Sequence, residues 1–301
     1  MMPATSAALS LEPLARIDRV IFPTDFSACA QAALPYACVL AQQNNATLHL
    51  VNVVGTPIPA GPLGVPYMEP AMEEEIARRD LAALADNEMV KTVRHETSIH
   101  RGAIWNAVCG VAREQDGTSV IVMGTHGRRG VRQLILGSVA EQVFRRSDCP
   151  VMTIGPGASK TGPTNGRFGT ILLALDLSPK SLELAKWGHL IAAQNKSRLI
   201  FFHAAQENTE MSAAVPNYLE EAVASARKRI SPLLPKDVPW CDIAIKIGEP
   251  DERILETAAD RNADLIIIGA HHGATLAAHS PWSCAHEVVC AAPCPVLTVS
   301  H

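Results

Sequence analysis

Residues 19–27 read RVIFPTDFS, and residues 170–178 read TILLALDLS. Each is an apolar run, then Asp, one apolar residue and Ser, and Asp25 and Asp176 stand 151 positions apart. The same offset aligns ATLHLVNVV (46–54) with SRLIFFHAA (197–205). Further along, VIVMG (120–124) aligns with LIIIG (265–269), and Cys149-Pro150-Val151 with Cys294-Pro295-Val296, at an offset of 145. Four anchors in one order describe a domain of about 150 residues written twice, with a few residues lost midway in the second copy. The seam, GPGASKTGPTNGR (155–167), is rich in Gly, Pro, Ser and Thr, the chemistry of a linker. The domains expected are therefore 17–155 and 168–300, joined by a linker over 156–167.

Within each copy, short apolar runs alternate with amphipathic stretches. In the first copy strands are expected near 17–24, 47–54, 93–100, 119–124 and 150–155, the runs lacking polar alternation as in strands buried on both faces. Helices are expected near 27–43, 71–91, 103–115 and 138–147. The first opens on Ser27 as N-cap, and Pro35 within it should kink it or shift its start. The second copy repeats the pattern, its second helix over 208–230. Residues 55–70, rich in Pro and Gly, suggest a mobile, lid-like loop. Alternating β and α elements joined by right-handed crossovers give an α/β fold with a doubly wound parallel sheet. Such sheets bind ligands at the carboxyl ends of the strands, where the strand order reverses.

Composition narrows the class. The chain has 301 residues, net charge −4, 48% hydrophobic and 19% charged residues. That supports real cores and argues against a general nucleic-acid binder, which needs a basic face. Aromatics are only 4%, so the cores are aliphatic. Eight cysteines are too few for a disulfide-stapled secreted scaffold. No signal-peptide pattern opens the chain, and no apolar run approaches the roughly 18 residues of a membrane span. These features point to a cytoplasmic protein with reduced thiols and no membrane partner.

The segment carrying chemistry is MGTHGRRGVRQLILGSV (123–139). A strand ends at Gly124, Gly127 and Gly130 follow in a basic loop, and Gly137-Ser138 opens a helix. Glycines let a phosphate approach the main chain, a helix start offers N–H groups and a positive dipole end, and Arg128 and Arg129 add charge. Read from the residues alone, the segment fits an anion site and an ordinary glycine loop with an N-cap serine alike.

The spacing Gly124-x2-Gly127-x9-Gly137-Ser138 resembles the nucleotide loop of the universal stress protein family, in its ATP-binding subclass. PTDFS after the first strand, LHLVNVV in the second, and SVAEQV followed by CPV at the end agree with it. The resemblance covers both halves, so the chain resembles a tandem member. It implies two flavodoxin-like (Rossmann-like) domains, each a five-stranded parallel sheet of order 3-2-1-4-5 with helices on both faces, and ATP in the crevice. Carried over by position, Pro23 belongs to the site, and Asp25 and Val53 lie on its adenine and ribose side. Gly124, Gly127, Gly137 and Ser138 hold ribose and phosphates, with the N–H of Val139 beside them. Met123, His126 and Arg128 line the same loop. Asp25 equally suits capping of the following helix together with Ser27. Any magnesium would be held mainly by the phosphates, because the loop offers no carboxylate pair.

The second copy departs from this pattern. At offset 145, Gly127 becomes His272 and Gly137 becomes Trp282; only Gly269 and Ser283 keep their places. An indole where phosphate touched the backbone predicts weak or absent nucleotide binding there. Asp176 persists, which suggests a structural use for that residue. His271, His272, His279, Cys284, His286, Cys290 and Cys294 fall within 24 residues, chemistry suited to zinc or copper, but no zinc-module spacing is present. Small buried thiols and satisfied histidines are the preferred reading. His203, where the first copy has Asn52, suits a hydrogen-bonded strand end. Trp105, Trp187 and Trp240 suit packing at element edges, and Cys109 suits a buried apolar position.

The function these features describe is an ATP-dependent stress-response switch, with regulatory protein partners. No GxxxxGK[ST] motif, nucleophile elbow or loop lysine is present, which argues against fast phosphotransfer. Slow ATP hydrolysis or autophosphorylation is the alternative. For the second half, the alternatives are metal binding, an apolar ligand or partner docking. Residues 151–154 and 296–299 can pair within one chain as an internal pseudo-dimer, two chains then forming a homodimer.

Overall fold

The computed structural model describes residues 16–55, 69–114, 117–125, 136–158, 162–206, 215, 217–235, 240–270 and 284–300. The chain divides into two compact units, one formed by Arg16–Arg167 with Ala270–His301, the other holding Phe168–Gly269. The first unit contains β1 (Arg19–Pro23), α1 (Ala28–Asn44), β2 (Thr47–Val54), α2 (Pro70–Ala85), α3 (Glu88–Lys91), β3 (His95–Arg101), α4 (Ile104–Arg113), β4 (Ser119–Gly124), α5 (Ser138–Arg146) and β5 (Val151–Ile154). The second contains β6 (Thr170–Ala174), α6 (Ser181–Asn195), β7 (Arg198–Ala205), α7 (Tyr218–Ile230), β8 (Cys241–Ile247), α8 (Pro250–Asp260) and β9 (Leu265–Ala270). The last elements of the chain, α9 (Cys284–Ala291) and β10 (Val296–Ser300), fall with the first unit.

In the first unit, β3, β2, β1, β4 and β5 neighbour one another in that order, all parallel. In the second, parallel pairing orders the strands β8, β7, β6, β9. The architecture is α/β, as the alternating pattern predicts. The central strands are solidly buried, and Val20, Ile21, Leu48, Leu50, Val120 and Ile121 have no exposed surface. These aliphatic runs need cover on both faces, which is why they read as unbroken hydrophobic strings. β3 is different. Its sequence, HETSIHR, is polar, and it is exposed or half-buried throughout because it forms the end of the sheet. The expectation of a strand buried on both faces fails there.

The repeat extends to single hydrogen bonds. Ile17 N–H donates to Asn44 Oδ1 (3.2 Å), and Phe168 N–H to Asn195 Oδ1 (3.0 Å). Each Asn also donates to a carbonyl one turn back, Leu40 or Ile191. The buried amide thus ties the entry of each first strand to the end of the following helix.

β10 lies antiparallel on β5, with Met152 opposite Leu297, Thr153 opposite Val296 and Val151 opposite Thr298. At the repeat offset of 145, Met152 corresponds to Leu297, Val151 to Val296, and Thr153 to Thr298. The pairing is therefore self-complementary about its centre, the signature of a local two-fold axis. The threonine hydroxyls repeat the symmetry: Thr153 donates to Val296 O (3.3 Å) and Thr298 to Val151 O (3.0 Å).

The helices refine the expected pattern. The stretch 71–91 is two helices, because Asn87 stops α2 and caps α3, its Oδ1 accepting from Met89 N–H. The start of α1 is not shifted by Pro35. The helix runs through the proline, which is buried within it, at the cost of one i→i−4 bond. α7 covers Tyr218–Ile230, following Asn217 in the left-handed conformation (φ 61°); the earlier part of the expected helix over 208–230 lies almost wholly outside the described residues. The expected lid-like loop lies outside the described residues except at its ends. Part of the linker is anchored: Gln43 Nε2 donates to Gly166 O (2.9 Å), and Ala158 is buried.

Candidate functional site

The strand order reverses between β1 and β4, and the predicted site residues gather at the carboxyl ends of these strands. Beyond Pro23 the chain turns sharply. Thr24 N–H donates to Val51 O (2.8 Å), and Asn52 Nδ2 donates to Thr24 O (2.7 Å), locking the ends of β1 and β2 together. Phe26 then adopts φ 61°, its N–H donating to Thr24 Oγ1 (3.0 Å). Asp25 Oδ1 accepts from Ser27 N–H (3.0 Å), and Ser27 Oγ accepts from Ala30 N–H (3.2 Å), capping α1. A non-glycine residue in this region costs about 1–2 kcal/mol, and these five bonds hold it in place.

The second unit builds the same turn. Leu177 has φ 59°, Ser178 N–H donates to Asp176 Oδ1 (2.8 Å), and Leu175 N–H donates to Phe202 O (2.8 Å). His203 Nδ1 bonds Leu175 O (2.8 Å), repeating the role of Asn52 as the strand-end tie. The structural use expected for Asp176 is thus present in both aspartates.

At the end of β4, Gly124 is required by packing. A Cβ there would stand 2.7 Å from the carbonyl oxygen of Cys29 in the first turn of α1. Thr125 N–H donates to Ile154 O (3.1 Å), and Gly137 N–H donates to Thr125 O (2.8 Å). That second bond brings the two ends of the segment 126–135 together. Gly137 is the N-cap of α5 with φ −63° and ψ 147°, a conformation open to any residue, and it supplies no side-chain cap. Ser138, the first helical residue, is exposed, and Val139 is half-buried. Met123 is 5% exposed, so its side chain belongs to the core. Val53 and Pro23 are half-buried.

Of the predicted residues, Pro23, Asp25, Val53, Met123, Gly124, Gly137, Ser138 and Val139 are described, at the ends of β1, β2 and β4 and the start of α5. His126, Gly127 and Arg128, with Arg129, Gly130 and Arg132, lie outside the described residues. So do His271, His272, His279 and Trp282. Sequence reasoning passed over Thr24, whose backbone and hydroxyl bonds shape the first turn, and Thr125, whose backbone bonds shape the second. The signal was their position, each directly after a strand's last residue.

Elsewhere, none of the eight cysteines forms a disulfide. Burial pushes the Cys38 thiol up to about 11 and raises those of Cys109, Cys149 and Cys290, which keeps them protonated. Cys109, 1% exposed, is the apolar residue expected, whereas Cys149 is only half-buried. Cys290 Sγ lies 3.7 Å from His286 Nδ1, both buried, and no group of three metal-ligating side chains occurs among the described residues. Trp187 is buried and Trp105 lies under the Arg146 guanidinium (4.3 Å), but Trp240 is 65% exposed rather than packed. No described helix is long and apolar enough to cross a membrane.

Comparison with known proteins agrees with the duplication. Residues 16–155 and 167–300 each match the family model of the universal stress protein family. Universal stress protein Mb2028c of Mycobacterium bovis is 24% identical over 299 residues, covering 92% of this chain and 95% of that protein. A universal stress protein of Thermus aquaticus is 32% identical over 142 residues, 44% of this chain and 98% of its own length. The crystal structure of a universal stress protein from Archaeoglobus fulgidus superposes with a TM-score of 0.68 at 19% identity, covering 94% of this chain and 98% of that one. With its two matched stretches, the chain belongs to the universal stress protein family as a tandem member.

Proposed function

We propose that this protein binds a nucleotide, ATP, in its first domain (17–155) and acts as a nucleotide-dependent switch, the second domain (168–300, after the linker 156–167) having lost that capacity. The observation that carries the reading is the start of α5. Its N-cap, Gly137, has a backbone conformation that needs no glycine, and as a glycine it brings no side chain to cap the first N–H groups. The backbone angles do not call for glycine there; close approach of an anion to the helix start does. The helix start is tied to the end of β4 through Thr125, beside Asp25 at the point where the strand order reverses. Asp25 and Val53 would take the adenine and ribose side. Gly124, Gly127, Gly137, Ser138 and the Val139 N–H would take ribose and phosphates, with His126 and Arg128 lining the loop and Met123 and Pro23 supporting it from the strand ends. Any magnesium would sit on the phosphates. The reading includes a cytoplasmic protein whose β5 and β10 close an internal pseudo-dimer, its outer surfaces open to regulatory proteins or to a second copy.

The test is the nucleotide content of freshly purified protein, wild type against Gly137→Trp, with titration of nucleotide-stripped protein. Wild type is expected to carry ATP and to titrate with one site per chain; the variant, which copies the second half's Trp282, is expected to carry none. A variant that keeps ATP, or two equivalent sites in the wild type, refutes the assignment.

A further inference from the structure

The outer edge of the first unit's sheet carries a second polar constellation. Glu96, Ser98 and His100 alternate along β3 and so share one face, and His49 of β2 stands in register opposite Glu96. Ser98 Oγ lies 2.8 Å from His49 Nε2 and 2.9 Å from His100 Nε2. His49 Nδ1 lies 3.1 Å from Glu96 Oε1, off the line of an ideal hydrogen bond. A hydroxyl has one proton. If it goes to His49 Nε2, His100 donates its own Nε2–H to Ser98 Oγ, and the His49 proton sits on Nδ1 facing the carboxylate. The contacts are then those of an activated serine: nucleophile on base, base on orienting acid.

The surroundings favour the neutral base. His49 is 9% exposed, and burial lowers its pKa, as do Arg19 of β1 and His100, while Glu96 and Glu114 beyond α4 oppose the shift. Ser98 itself is half-buried, within reach of a small substrate. A donor for an oxyanion is also at hand. Arg94 O accepts from Leu48 N–H, and Gly102 N–H donates to Val54 O, so the even-numbered residues of β3 turn to β2. The N–H of Ile99, next to Ser98, therefore faces the open edge.

We propose that Ser98 is a nucleophile for acyl transfer from small carboxylic esters, with His49 as general base and Glu96 and His100 as positioning residues. Ser98 Oγ bonds to the ester carbonyl carbon as its proton passes to His49 Nε2. The bond to the alcohol oxygen breaks, and the alcohol leaves with that proton. Water then adds to the acyl-serine, giving its proton to His49, and the collapse returns that proton to Ser98 and releases the carboxylic acid. This proposal is independent of the nucleotide reading.

The experiment uses the full chain with p-nitrophenyl acetate, following nitrophenol release and locating the acetyl group by peptide mass spectrometry. Wild type is expected to acetylate at Ser98 and turn over. S98A and H49Q, compared at matched folding by circular dichroism, are expected to lose at least about 100-fold in rate. Neutral His49 is the active form, so the rate falls as pH drops through its pKa. Removing the Glu96 charge in E96Q should move that midpoint further down, a shift that a merely structural carboxylate would not cause. Labelling of folded wild type by a fluorophosphonate at Ser98 gives a readout free of any variant. Absence of both acetyl and fluorophosphonate at Ser98, an S98A rate equal to wild type, or an unmoved E96Q profile overturns the proposal.

Discussion

Gly124→Ala tests the packing of β4 against α1. The added Cβ would lie 2.7 Å from Cys29 O and 2.9 Å from Cys29 C, where ordinary contact begins at 3.4 Å, so about 0.7 Å must be found. β4 cannot give way, because it is pinned between β1 and β5 and buried along its length. The first turn of α1 must move instead, and with it the Ser27 cap and the turn through Asp25. Overpacking of a tight interior costs about 1–3 kcal/mol. At roughly 2–4 °C per kcal/mol for a domain of this size, Tm should fall by about 2–12 °C. Calorimetry of the nucleotide-stripped protein measures it. Gly137→Ala is the control, since its backbone accepts any residue, and it should unfold within about 0.5 kcal/mol of wild type. If Gly124→Ala unfolds at the wild-type temperature, β4 and α1 do not approach as described. The glycine would then have to be explained by ligand contact alone.

Other perturbations follow from the same structure. Asn52→Ala removes the donor to the buried Thr24 carbonyl (2.7 Å) and should cost about 1–3 kcal/mol in urea unfolding; an unchanged midpoint refutes the role of the strand-end tie. Lys196→Gly should stabilise by about 1 kcal/mol, because exposed Lys196 ends α6 at φ 55°, where glycine meets no Cβ penalty; destabilisation would contradict the cap geometry. His286, 4% exposed, has its pKa lowered by burial, with Glu141 and Glu287 opposing and Arg145 assisting. The unfolded chain therefore takes up this proton first, so stability is full above the ordinary histidine range and is lost as pH falls through the folded pKa. His286→Leu should flatten that fall in a urea series, and an unchanged slope refutes the assignment.

The sequence by itself determined the duplication, the α/β class and the position of the turns. Those properties are local or periodic: apolar strings of strand length, Asp and Ser at matched offsets, glycines after a strand. It also separated the two halves, since Trp282 stands where Gly137 does. The tertiary structure decided what each residue is for. Asp25 holds the turn at Phe26 by accepting from Ser27 N–H, and Asp176 holds the turn at Leu177 by accepting from Ser178 N–H, so an aspartate in both halves carries no ligand by itself. Gly124 is fixed by the backbone of α1, almost one hundred positions earlier in the chain, a contact no local pattern encodes. The break at Asn87, the run of α1 through Pro35 and the exposure of β3 depend on what each segment packs against. Nor does spacing reveal that His49 meets Ser98: the register of β2 with β3 joins them across 49 positions, and only folding sets that register.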